Sequence, residues 1–356
     1  MRILVTGGAG FIGSRVVAAL RDAGHEVRVL DALLPGVHPP GFVPDLPDGV
    51  EFIHGNVAEP ATIEAALDGI DLVNHQAAMV GRGKEILEAP RYVTNNDLAT
   101  AVLLTAMTKR GINRLVLASS VVIYGDSRYD CPEHGRVRPP RRSKADLDAG
   151  RFEPRCPTCG TEVVATAVEE DDPLDPPRNV YAVSKLAQEY LVGAWTRETG
   201  GQAVALRYHN VYGPGMPYES PYSGVASTFR SFVARGEAPQ VYEDGGPRRD
   251  FVHVSDVAAA SLAALTWREP SGFRAFNVAS GQPRSIGELA AALAHAAGAP
   301  EPVITGRYRV GDVRHIFATP QRLIAELGWR PAVDFATGTA EFATAPMRGL
   351  DVAVAR

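Results

Sequence analysis

The stretch Thr6-Gly7-Gly8-Ala9-Gly10-Phe11-Ile12-Gly13 closes a short apolar run beginning at Ile3 and opens a helical pattern over residues 11–23 that stops at Gly24. Glycines at 7, 10 and 13 permit a tight turn, close approach of a pyrophosphate to the backbone, and close packing of helix on strand. A helix starting there turns its free N–H groups and positive dipole end toward phosphate. The next apolar run, residues 26–31, ends in Asp31. A carboxylate at that point accepts hydrogen bonds from a ribose diol and repels a 2′-phosphate, so NAD is expected rather than NADP. A glycine trio alone is often only a turn; the strand before it, the helix after it and the acid give it the dinucleotide reading.

Outward from this motif the pattern repeats. Residues 50–54, 71–75 and 114–119 read as further buried strands, and residues 59–67 and 96–110 as helices, the last stopped by Gly111. Continuously apolar strands alternating with helices define an α/β protein, a Rossmann-type doubly wound parallel sheet covered on both faces. A helix over 180–199 and a strand over 203–208 resume the rhythm. Later elements are shorter: a helix at 254–267, a strand at 275–279 and a helix at 285–297. We therefore expect an NAD-binding domain over residues 1–206 and a smaller C-terminal α/β substrate domain over 207–356, whose chain crosses back to the first. Residues 126–178, rich in proline, carrying a basic run at 136–144 and all three cysteines, read as an insertion.

Composition sets outer limits. With 356 residues, 45% of them apolar and 22% charged, the chain can bury one large or two coupled cores, which excludes a disordered or fibrous protein. Lys and Arg number 36 against 41 Asp and Glu, a net charge of −5 that gives no reason to expect nucleic acid or an anionic membrane as partner. Three cysteines are too few to staple a chain of this length. No signal-peptide layout and no bilayer-length apolar run are present, so a cytoplasmic protein is expected.

Tyr181-Ala182-Val183-Ser184-Lys185 places a phenol and an ammonium one helical turn apart on one face. Tyrosine, with an ordinary pKa of about 10, becomes a usable base when a nearby cation favours the phenolate. It can then take a hydroxyl proton as hydride leaves the same carbon, and return it in reverse. Taken alone, such a pair is usually a solvated helix face. Strand 114–119 runs into Ser119 and Ser120 at the sheet edge where ligands of such folds bind, and Ser120 can hold the hydroxyl that Tyr181 deprotonates. Ser119 reads as a cap of strand-end backbone groups.

Together these motifs resemble the extended short-chain dehydrogenase/reductase family, among its NAD-dependent nucleotide-sugar epimerases and dehydratases. Asp71-Leu72-Val73-Asn74-His75-Gln76-Ala77-Ala78 is similar to the family's fourth-strand signature, Asn96-Asp97-Leu98-Ala99-Thr100 to its Asn-Val-x-Gly-Thr helix start, and residues 207–215 to its Arg-Tyr-Phe-Asn-Val-Tyr-Gly-Pro run. The resemblance spans nearly the whole chain outside the insertion. It implies Ser120, Tyr181 and Lys185 as catalytic residues. It implies cofactor contacts from Gly7, Gly10, Phe11, Ile12, Gly13, Asp31, Asn56, Val57, Gln76, Ala77, Ala78, Asn96, Tyr181 and Lys185, with Asn56 where many relatives carry Asp. It also implies a homodimer built through helices of the first domain.

The same resemblance places a nucleoside diphosphate against Asn210, Arg249, Arg309 and Asp312, the arginines on phosphate and the acid on ribose; guanidinium forks and carboxylates suit those groups. The bland reading of Arg249 and Asp250 is a surface ion pair. Dehydratases and decarboxylases of the family carry polar residues just after the catalytic Ser or Thr, whereas Val121 and Val122 stand here. Elimination would lack its acid or base, which leaves reversible oxidation through a transient keto-sugar and re-reduction on the other face, that is, epimerisation, at C4 foremost. Two rivals stay open: a net dehydrogenase or reductase of a hydroxylated metabolite, and a non-catalytic NAD-binding scaffold. His209 stands in place of the usual aromatic and reads as pocket filling. Gly81-Arg82-Gly83-Lys84 reads as a solvated basic loop, with contact to an acidic sugar as the alternative.

Cys131-Pro132-Glu133-His134 and Cys156-Pro157-Thr158-Cys159-Gly160 lie outside that resemblance. Two knuckles with two-residue spacings can present four S and N ligands tetrahedrally, the arrangement zinc prefers. A closed four-ligand site leaves no open position, so Zn at Cys131, His134, Cys156 and Cys159 would be structural. A Cys156–Cys159 redox pair and an unmetallated surface loop are the alternatives.

Overall fold

The five apolar runs of the first half form β1 (Arg2–Thr6), β2 (Glu26–Asp31), β3 (Glu51–His54), β4 (Leu72–His75) and β5 (Arg114–Ser120), all parallel in one sheet. The computed structural model describes residues 1–35, 37–39, 41–81, 86–219 and 224–349. Two later strands, β9 (Gln202–Tyr208) and β14 (Gly272–Val278), extend the sheet to the order β14-β9-β5-β4-β1-β2-β3. The expected doubly wound parallel sheet is therefore present. Its strands lack polar alternation because both faces are covered: Ile3, Leu4 and Val5 are all fully buried.

Helix α1 (Phe11–Asp22) packs on one face beside α8 (Val254–Ala264), burying Val16, Val17 and Leu20 with Val257 and Phe276. The other face takes α2 (Pro60–Ala66), α4 (Ala99–Arg110) and α6 (Val180–Thr199), where Leu103, Val192 and Trp195 meet Leu4 and Leu115. The helix read at 96–110 has an irregular start. Here α3 (Ala89–Tyr92) passes through a π-helical turn, Val93–Leu98, before α4 begins. Such turns are often found beside functional sites. The helix read at 254–267 ends early, at Ala264.

The insertion is itself folded. Strands β6 (Arg128–Cys131), β7 (Gly135–Val137) and β8 (Val164–Thr166) form an antiparallel sheet in the order β7-β6-β8, with α5 (Lys144–Asp148) between the last two in sequence. Tyr129, Cys131, Cys156 and Val163 make its small core. In the C-terminal half, β10 (Asn210–Tyr212) pairs with β13 (Phe251–His253), β11 (Gln240–Val241) with β16 (Val303–Ile304), and β12 (Arg248–Arg249) lies between β15 (Arg284–Ser285) and β17 (His315–Ile316). Helices α7 (Val225–Ala234), α9 (Ile286–Ala297) and α11 (Phe335–Thr344) close over a core of Tyr212, Phe229, Phe251, Leu289 and Phe342.

Sheet order reverses between β1 and β4. The crevice beyond the carboxyl ends of the strands at such a switch point is where open α/β sheets bind ligands.

Candidate active site

One cavity of about 830 Å³ lies along that crevice, and its wall collects residues from both halves of the chain. At one end the fingerprint glycines form a cradle. Gly7 has φ +69°, and a Cβ added to it would sit 2.6 Å from the Ala77 backbone nitrogen; one added to Gly13 would sit 2.1 Å from the Gly7 carbonyl oxygen. Neither position accepts a side chain. No side chain caps the start of α1, so its first N–H groups face the cavity unclaimed by the protein. Asp31 is fixed from below, accepting from the Ala9 N–H at 3.0 Å and the Leu33 N–H at 2.9 Å. This donor set suits NAD, with pyrophosphate at the cradle and a ribose at Asp31.

Phe11, Ile12, Asn56, Val57, Gln76, Ala77 and Ala78 line the same cavity as expected. Asn56 also accepts from the Ala58 N–H at 2.9 Å, and Gln76 donates to Asn74 at 2.6 Å and to Tyr208 at 3.1 Å. Asn96 is a correction: it is fully buried and does not line the cavity. Its amide accepts from Met79 N–H at 2.6 Å and donates to the Met79 carbonyl at 3.0 Å and to Ser184 at 2.8 Å, so it ties the π-helical turn to the loop after β4 and to α6. Two cavity residues gave no signal in the sequence. Arg348 reaches across from the C-terminal end to donate to the Ala9 carbonyl at 2.8 Å, and His38 lies 3.8 Å from Asp31.

Ser120, Tyr181 and Lys185 meet at the middle of the cavity. Burial pushes the Tyr181 phenol up to about 12, and a hydrogen bond with the Ser120 hydroxyl pulls the other way. Lys185 donates to the Ala118 carbonyl at 2.8 Å, and burial pulls its pKa down to about 7 against the opposing pull of Glu189 and Asp97. Lys185 thus sits on a strand-end carbonyl, and Ser120 is the neighbour that pulls the Tyr181 phenol back toward its ordinary value. The two serines also exchange parts. Ser119 donates to Glu189 at 2.5 Å instead of capping backbone, while Ser120 accepts from the Val122 N–H at 3.3 Å.

Lys185 and Asp97 titrate with opposite consequences. Between about pH 7 and 10.5 the unfolded chain holds a proton at residue 185 that the folded chain has lost, so stability rises with pH there. Burial raises Asp97 from 3.8 to about 6; across that interval the folded chain holds the extra proton and stability falls as pH rises. In urea unfolding, wild type should gain on Lys185→Met above about pH 7, by up to about 1.4 kcal/mol per pH unit. A difference that stays flat from pH 7 to 9 contradicts this assignment.

The far end of the cavity holds Asn210, Arg249, Arg309 and Asp312, the four residues expected at a nucleoside diphosphate. Arg309 lies 4.7 Å over the Tyr242 ring. Arg249 donates to the backbone carbonyls of Arg248 at 2.8 Å, Arg314 at 2.9 Å and Val313 at 2.7 Å, and it is not paired with Asp250. Asp250 is buried and accepts from the Ser280 and Gly281 N–H groups at 2.6 and 2.9 Å. His209 is buried in the cavity wall, its ring nitrogens without hydrogen-bond partners of normal geometry, and burial pulls its pKa down to about 3. It is a neutral wall residue. Arg82, Gly83 and Lys84 of the basic loop lie outside the described residues.

In the insertion, Cys131 Sγ lies 3.6 Å from His134 Nδ1 and 3.6 Å from Cys159 Sγ, and Cys156 Sγ 3.8 Å from His134 Nδ1. All four candidate ligand atoms fall within 4.8 Å of one another. Backbone N–H groups pull the Cys156 thiol down to about 7, which favours the thiolate a metal requires.

A glycine cradle with an acid beside it, and a Ser–Tyr–Lys group midway along the same cavity, define a dinucleotide-dependent enzyme that moves hydrogen at a hydroxyl-bearing carbon. The family model for the NAD dependent epimerase/dehydratase family matches residues 3–144 and 158–279, breaking only inside the insertion. The dTDP-L-rhamnose 4-epimerase of Burkholderia thailandensis is 34% identical over 355 residues, covering 98% of this chain and 96% of its own. Among solved structures, the UDP-glucose 4-epimerase of Thermus thermophilus in complex with NAD matches with a TM-score of 0.76 at 32% identity, over 96% of this chain and 98% of that one. A UDP-N-acetylglucosamine 4-epimerase of Methanobrevibacter ruminantium, in complex with UDP-N-acetylmuramic acid, matches at 0.76 and 27%, over 96% of each chain. The chain belongs to the NAD dependent epimerase/dehydratase family, as an NAD-dependent nucleotide-sugar epimerase of the extended short-chain dehydrogenase/reductase type. Among the described residues no helix is long and apolar enough to cross a membrane.

Proposed function

We propose that the enzyme inverts C4 of a hexose carried on a nucleoside diphosphate, with Tyr181, Ser120 and Lys185 acting on the sugar and Asn210, Arg249, Arg309 and Asp312 holding the nucleotide. The observation that carries this reading is that Ser120, Tyr181 and Lys185 share the wall of one cavity with the fingerprint glycines and with Arg249 and Arg309. NAD, when bound, supplies acceptor and donor for the C4 hydrogen; Gly7, Gly10, Gly13 and Asp31 would hold it. Ser120 orients the C4 hydroxyl. Tyr181 takes its proton and returns it after the sugar has presented its other face. Lys185 fixes the strand-end backbone beside them through Ala118. Val121 and Val122 line the cavity just after Ser120, and neither can act as acid or base to drive elimination.

Incubation with a panel of nucleotide sugars and catalytic NAD, read by NMR, tests this. The expected product is a C4 epimer with no accumulation of NADH; stoichiometric NADH would instead identify a net dehydrogenase.

The remaining expectations join this reading. Residues 1–206, interrupted by 126–178, would bind cofactor and residues 207–356 mainly substrate. A homodimer is supported by the apolar side chains left exposed along the π-helical turn and α6: Val93, Leu98, Val183 and Tyr190, the last 65% exposed. Three free cysteines and a net negative charge suit the cytoplasm. Zn at Cys131, His134, Cys156 and Cys159 is supported by the convergence of four soft or borderline ligand atoms within 4.8 Å of one another in the insertion.

A further inference from the structure

The chain leaves the cysteine cluster after His134 and comes back to it at Cys156. Between those points it crosses to the far end of the cavity. Arg142, nearly buried, donates to the Asp312 carbonyl at 2.9 Å and pairs with Glu243 at 2.9 Å. Glu153 accepts from Arg314 at 2.9 Å and meets His315 at 2.8 Å. Asp148 accepts from the Tyr308 hydroxyl. Apart from the Arg142–Glu243 pair, these contacts land on residues 307–315, the segment that brings Arg307, Arg309, Asp312 and Val313 into the cavity wall. Glu243, itself a wall residue, is gripped from two sides, by Arg142 and by Arg314 at 2.7 Å, and its backbone is held at φ +53°.

The cysteine cluster is therefore the foot of a strut. The segment 135–155 has little core of its own: of its residues, only Leu147, Phe152 and Pro154 are buried apolar side chains. A loop this polar does not hold a fixed path without being pinned at its ends. The residues that flank it, His134 and Cys156, are both candidate metal ligands.

We propose that a divalent metal bound by Cys131, His134, Cys156 and Cys159 fixes segment 135–155, and that this segment in turn fixes the 307–315 wall that grips the nucleoside diphosphate. The metal then sets nucleotide affinity while NAD retention and proton transfer at Tyr181 stay as they are. The proposal rests on the metal reading above, and the test separates the two.

Full-length protein is purified with NAD, and metal content is read by inductively coupled plasma mass spectrometry. UDP and dTDP binding is measured by calorimetry, released NAD by absorbance, and protection of residues 307–315 by hydrogen exchange. Wild type is expected to carry about one zinc per chain, and Cys156→Ser/Cys159→Ser none. That variant should bind nucleotide about tenfold more weakly or worse and lose protection at 307–315, with NAD per chain unchanged. Arg142→Met should keep its zinc yet weaken nucleotide binding to a similar degree, and it decides the matter if the cysteine variant does not fold. A metal-free wild type removes the metal reading and the proposal together. Zinc that is present and lost with unchanged nucleotide affinity, unchanged affinity in zinc-loaded Arg142→Met, or a wild type that binds neither nucleotide overturns the proposal and leaves the metal reading standing.

Discussion

Tyr181→Phe is expected to lose epimerisation by about 10²- to 10⁴-fold in kcat while keeping its fold and its NAD. The change deletes one oxygen and leaves the ring that lies 6.0 Å from Tyr92. Ser120 loses a partner but remains on β5, and Lys185 keeps its bond to the Ala118 carbonyl. What disappears is the group that carries the proton. Water is a poor substitute in a site whose burial already pushes the phenol up to about 12. Turnover within tenfold of wild type, with product confirmed by NMR, would mean another residue moves the proton and would end the assignment.

The second large effect lies in stability. Arg207 and Glu189 are each about 5% exposed and pair through two bonds, at 3.0 and 2.8 Å. Arg207 also donates to Tyr124 at 2.8 Å and to the Glu170 carbonyl at 2.9 Å, while Glu189 accepts from Ser119. This knot joins β5, α6 and β9 directly beneath the Ser–Tyr–Lys group. Arg207→Met leaves a buried carboxylate unpaired and should cost about 3–5 kcal/mol, lowering Tm by roughly 10 °C in calorimetry. Arg207→Met/Glu189→Leu should recover much of that, because removing both charges together avoids the stranded one. A double variant as unstable as the single one contradicts this account.

The residues legible in the sequence were those whose chemistry is local. The glycine cradle, Asp31 and the Tyr181–Lys185 spacing each follow from a short run read against one strand or one helix. Residues recruited through distant contacts were not legible. Nothing near position 348 announces that its guanidinium will donate to Ala9, and nothing around Arg142 announces Glu243 and Asp312. Asn96 was misread for a related reason: a motif position shows that a residue matters, but only packing shows whether its amide faces ligand or backbone. The insertion's strands, three or four residues long, are too short for alternation to declare them, and its cysteines showed a ligand pattern without showing what the loop between them touches.

The outermost position of β14 has a consequence for synthesis. Among the described residues that strand, residues 272–278, pairs only with β9, residues 202–208, and it leaves the ribosome some seventy residues later. Until it arrives, β9 presents an open row of amides and carbonyls flanked by Val204 and Leu206, a surface that invites pairing with other nascent chains. A truncation ending between residues 209 and 271 would retain every cofactor-cradle glycine and still expose that sticky margin, so a nucleotide-binding half cut there would carry an unpaired strand edge.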